Sequence, residues 1–167
     1  MRTLVAVVAL AAGCSVDVGA GSIDPVTVDA PINTAADSPP VSLTAEVDFL
    51  TPDQSASIDD QYGGKLGAVS AIDVRVMALD IVDDASGTSV AGATVELTLP
   101  GVSVDSVGQR VRLPDAQKQA VLAAIKAHAA LTVPLTAILS WPEPAPPTMT
   151  AHSVLQPIIV VDALSAL

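Results

Sequence analysis

Hydrophobic and polar residues alternate one for one over several stretches of this chain, the pattern of strands with one buried and one wet face. Val41, Leu43, Ala45, Val47 and Phe49 alternate with Ser42, Thr44, Glu46 and Asp48. Residues 94–99 alternate in the same way and are stopped by Pro100-Gly101. The clearest run puts Leu131, Val133, Leu135, Ala137, Leu139 and Trp141 on one face and Pro134 on the other. Proline cannot donate to a ladder, so this strand is expected at a sheet edge or with a bulge at Pro134. Between Ser70 and Val82 the phase inverts: Ile72, Val74 and Val76 share one face, Met77, Leu79 and Ile81 the other. One extra residue inverts a two-residue period, which predicts a bulge near Met77, or else burial on both faces. Two short strands are predicted near 102–104 and 109–113. A last strand runs from Met149 to Val161, interrupted at Gln156-Pro157, and its continuous apolar end, 158–161, suits burial on both faces.

The period changes to that of a helix once. Pro114-Asp115 suits a helix start, and Val121, Leu122, Ile125 and Ala129 fall on one stripe, which predicts a helix over about 115–130. Residues 51–67 show neither period and read as a loop, with a turn at Tyr62-Gly63-Gly64. Asp83 to Thr88 reads as a turn. Four prolines in the six residues 142–147 make a stiff connection, or a ligand for a polyproline-binding module. The fold expected over 41–167 is mainly β: an antiparallel β-sandwich of about seven strands with one α-helix lying across it or plugging one end.

The first forty residues read differently. Met1-Arg2-Thr3 is a short positive start, followed by nine apolar residues, Leu4 to Ala12. Nine helical residues rise roughly 13–14 Å, against about 30 Å for a bilayer core, so residues 1–13 read as a signal peptide and not as a membrane span. Residues 15–40 hold four aspartates, four prolines and no basic residue. They are expected to form a flexible acidic linker reaching roughly 25–30 Å, a spacer between membrane and domain.

Leu10-Ala11-Ala12-Gly13-Cys14 resembles the lipobox of bacterial lipoproteins, in which small residues precede a cysteine. Ala11 stands where that family usually has leucine, and the resemblance covers residues 1 to about 15 only. It implies cleavage between Gly13 and Cys14 and a diacylglyceryl thioether on Cys14, the lipid attachment site. Two or three acyl chains together hold a protein stably in a bilayer. In that family an aspartate directly after the cysteine favours the inner membrane. Ser15 stands there, which implies the outer membrane of a bacterial envelope.

Composition removes several function classes. Seven Lys and Arg against 18 Asp and Glu give a formal net charge of −11, so no nucleic-acid partner is expected. Aromatics are 2% of the chain, too few for a base- or sugar-stacking surface. The single cysteine excludes an intrachain disulfide, and a lipidated thiol is not a nucleophile. His128 and His152 have no Asp, Glu or Cys at metal-ligand spacing and read as surface histidines. Asp59-Asp60 and Asp80…Asp83-Asp84 are the densest carboxylate clusters. Neither has the alternating oxygen donors of an EF-hand, and both read as solvated turns instead of calcium sites.

No catalytic, cofactor-binding or metal residue and no cofactor is expected. The function expected is that of a lipid-anchored, non-catalytic envelope protein: a binding or structural β-sandwich whose partners are the membrane, through its lipid, and an envelope protein. The alternative is a carrier of a small apolar ligand or lipid in a pocket between sheets and helix. A hydrolytic enzyme ranks third.

Overall fold

The computed structural model describes residues 15–18 and 24–162. Along them follow β1 (Ser15–Val18), β2 (Val26–Asn33), β3 (Val41–Leu50), α1 (Pro52–Tyr62), a 3-10 turn (Gly63–Ala68) and β4 (Val69–Asp83). Then come β5 (Thr94–Leu99), β6 (Val102–Val104), β7 (Arg110–Arg112), α2 (Asp115–Ala127), β8 (Leu131–Ser140) and β9 (Thr148–Asp162). One sheet runs β9–β4–β7, with β1 and β2 both lying on the far edge of β9; the other runs β3–β8–β5–β6. All pairings are antiparallel. Ile72, Val74, Ile81, Met149, Leu155 and Ile159 of the first sheet meet Leu97, Leu135 and Leu139 of the second in one buried core. The expected antiparallel β-sandwich is the observed architecture.

The phase inversion in β4 is a bulge. Val76 pairs with Leu155 and Ala78 with Val154, so Met77 has no partner on β9 and is 45% exposed. Skipping it lets Ile72, Val74 and Val76 share a core face with Leu79 and Ile81. Deleting Met77 should therefore leave a regular ladder with every other β4 side chain on its present face. Deleting Val74 should instead turn Arg75 inward and Val76 outward. Thermal unfolding of the two deletion variants checks this. Loss of Met77 is expected to cost less than about 2 kcal/mol, and loss of Val74 about 3 kcal/mol or more.

Three expectations need correction. Residues 15–40 are not a linker throughout. Val26–Asn33 pairs with Leu155 to Thr148, and Ser15–Val18 pairs with Asp162 to Ile159. Val26, Val28, Ala30 and Ile32 do alternate with Thr27, Asp29, Pro31 and Asn33, and Ile32 is in the core at 3% exposure. The prolines and aspartates hide this period. Pro31 is tolerated because β2 is an edge strand and needs no outward donor.

The stretch expected to be a loop holds a second helix, α1. Thr51 accepts the Gln54 N–H on its Oγ1 at 3.2 Å, and Gln54 Oε1 accepts the Thr51 N–H at 2.9 Å. This capping box, with Pro52 in the first turn, starts the helix although its apolar stripe is thin: only Ser55 and Ile58 are buried. Ser55 Oγ donates to the Ala129 carbonyl at 2.7 Å and ties α1 to the end of α2. α2 itself stops at Ala127, where His128 adopts a left-handed conformation (φ 50°).

The interruption expected at Gln156-Pro157 is absent, since β9 runs on through it, whereas Pro134 does lie on a locally open edge. β8 lies between β3 and β5, but its pairing with β5 runs only from Ser140 to Thr136. At Pro134 it has one neighbour, Glu46 of β3. β9 continues through Pro157, which pairs with Val74 of β4; on its other edge β2 stops at Leu155 and β1 starts at Ile159. Each proline falls where one neighbouring strand has ended, the one place in a sheet where a missing donor leaves no acceptor unpaired.

Candidate functional site

Cys14 lies outside the described residues. The next residue, Ser15, opens β1 and stands opposite Asp162 at the end of the first sheet. A lipid on Cys14 would therefore be joined directly to the sandwich and not through a 26-residue spacer.

Folding gives both histidines a carboxylate that sequence spacing did not show. His152 Nδ1 lies 2.6 Å from Asp29 Oδ1, across 123 residues of chain, and His128 Nε2 lies 3.0 Å from Asp59 Oδ2. Asp29, His152 and Asp80 are register neighbours on β2, β9 and β4, so they form a row across the outer face of the first sheet. Ser89 Oγ donates to Asp80 Oδ2 at 2.9 Å, while Asp80 Oδ1 is shielded from water with no hydrogen-bond partner. The serine is thus held by a carboxylate and not by the imidazole, so the row lacks the nucleophile–base bond that acyl transfer needs.

The Asp-rich turn after β4 is a backbone device. Asp83 Oδ1 accepts the Ala85 N–H at 3.0 Å and its Oδ2 accepts Ser86 Oγ at 2.7 Å. Asp84 accepts Thr150 Oγ1 at 2.9 Å. The Asp83 oxygens close the turn and the Asp84 oxygen reaches across to β9, and no group of three or more His, Cys, Asp or Glu among the described residues could hold a metal. The Ser86 hydroxyl, then the Ala85 N–H, hold the Asp83 carboxyl below its ordinary value of 3.8. A lowered folded-state pKa stabilises above the ordinary carboxylate range, and that support is lost as pH falls through the lowered value. Ser86→Ala should bring the Asp83 pKa back towards 3.8, read by NMR titration of the side-chain carboxyl.

Two arginines meet one carboxylate where β7 pairs with β4. Asp73, its side chain 8% exposed, accepts from Arg110 Nε at 2.8 Å and Arg112 Nε at 3.3 Å, which pins short β7 to β4. Beneath α2, an apolar cleft of about 130 Å³ lies among Phe49, Leu113, Ala120, Val121, Leu131 and Val133. Ligand pockets usually measure about 300–1,000 Å³. This cleft has room for one side chain or a few carbons, not for a lipid. Comparison with protein families, with curated proteins and with solved structures gives no match.

Proposed function

We propose that the chain is a lipid-anchored protein of the bacterial envelope, held through a diacylglyceryl thioether on Cys14, whose β-sandwich binds and does not catalyse. The observation that carries this reading is the sequence Leu10-Ala11-Ala12-Gly13-Cys14 after a short apolar run, with the chain's only thiol at the one position lipidation requires. Ser15 directs the protein to the outer membrane. An envelope protein is the partner class in this reading. A carrier of an apolar ligand draws less support, because the cleft under α2 is only about 130 Å³.

Intact-mass measurement of the protein extracted from its host's membranes tests the anchor. A chain that begins at Cys14 and carries the mass of two or three acyl chains is expected. An uncut start, or a trimmed chain with a bare thiol, overturns the reading.

A further inference from the structure

We infer that the open side of the sandwich takes up an extended basic segment of another protein as an added strand along β3. This deepens the proposal that the sandwich is a binding module and rests on that reading, but it does not depend on the lipid.

Among the described residues β2 and β3 are edge strands, one from each sheet, and each is paired on one side only, β2 with β9 and β3 with β8. They flank a groove of about 450 Å³ lined by residues 24–29 and 45–48, with Thr51 and Gln54 at its end. Inward-facing residues form its floor, but the edge is not sealed. Val28 and Val47 are half-buried and Ala45 is exposed, whereas the inward positions Ile72, Val74 and Ile159 deeper in the sandwich are at most 1% exposed. An apolar strip left half-covered between two unpaired strand edges is the surface that an incoming strand completes.

Charge selects the occupant. Asp24, Asp29, Glu46 and Asp48 line the groove, and no Lys, Arg or His does. A second copy of this chain, at −11, would bring more negative charge to that rim. A strand with aliphatic residues at alternate positions would drop them onto Val28, Ala45 and Val47. Lysines or arginines between them would then lie beside Glu46 and Asp48.

The choice between the two edges follows from their residues. β2 contains Pro31, which has no N–H to offer, and its Asp29 is already engaged by His152 at 2.6 Å. β3 has ten residues and no proline, and its ladder with β8 stays in register from Val41 to Asp48. Main-chain pairing along β3 would provide affinity, and the alternating side chains would provide selectivity.

The test uses the full chain carrying Cys14→Ser, so failure of the lipid reading leaves it unaffected. The probe is an acetylated heptapeptide alternating lysine and valine, and its control replaces lysine with glutamate. The basic peptide should bind, slow amide hydrogen exchange along Val41 to Asp48, and weaken as salt rises. The acidic peptide should not bind. Glu46→Lys combined with Asp48→Lys should weaken binding about tenfold or more, with the far-ultraviolet spectrum unchanged. If that variant misfolds, the two peptides and the salt series still decide the matter. Three outcomes overturn the inference: equal binding of both peptides, no new protection on β3, or a β3-mediated dimer of the chain that excludes the peptide.

Discussion

Cys14→Ser should strip the protein of its membrane attachment completely: no palmitate label, no cleavage at Gly13, and no co-sedimentation of a mature form with envelope fragments. The expectation is all-or-none for a physical reason. A serine hydroxyl is a far weaker nucleophile than a thiolate and does not form the thioether. Each buried methylene of an acyl chain contributes about 0.8 kcal/mol to membrane binding, so two or three chains together hold a protein stably. No helix among the described residues is long and apolar enough to cross a bilayer. A chain at −11 is also repelled by anionic headgroups. Metabolic labelling with palmitate and fractionation of wild type and variant side by side give the answer. A variant that is labelled and sediments like the wild type sinks the anchor.

Leu139→Ala should destabilise the sandwich by about 2–5 kcal/mol, the range for removing a fully buried leucine. Leu139 is 0% exposed on β8, with Val41 of β3 opposite on one side and Val95 of β5 on the other. Two strands flank it and the second sheet covers it, so the surroundings cannot collapse to fill the hole. For a domain of this size, about 2–4 °C per kcal/mol puts the fall in Tm at roughly 5–20 °C. Ile138, the next residue, is 41% exposed on the outer face, and Ile138→Ala should change Tm by no more than a few degrees. A comparable loss at both positions would mean that the strand's faces have been assigned the wrong way round.

What was legible in the sequence was whatever rests on a period. Strands β3, β4, β5 and β8 showed themselves because one face of each is buried, and the bulge at Met77 showed itself as a break in that rule. α2 was legible at its start, where Pro114 and Asp115 carry the signal, and not at its end, where a left-handed His128 stands in place of the glycine that usually marks such a stop. α1 was missed because it holds its place through caps and not through an apolar stripe. The pair Thr51 and Gln54, three apart with Pro52 between them, was the signal that could have found it.

β2 was missed because composition outweighed pattern: aspartate and proline fill the solvent side of an edge strand, where neither disturbs the ladder. The carboxylate partners of His128 and His152 were beyond any local reading. They come from 69 and 123 residues away, and only the register of β2 on β9 and the packing of α1 on α2 bring them together.

The placement of β9 has a bearing on how the protein is made. Three strands, β1, β2 and β4, pair with this one, and it comes last among the described strands. Until Thr148–Asp162 has been synthesised, the earliest strands have no neighbour to zip onto and the sheet has no middle. Contacts that bridge nearly the entire polypeptide also form slowly. The β3–β8–β5–β6 sheet can pair earlier, but a nascent chain with this topology cannot close its first sheet until β9 is available.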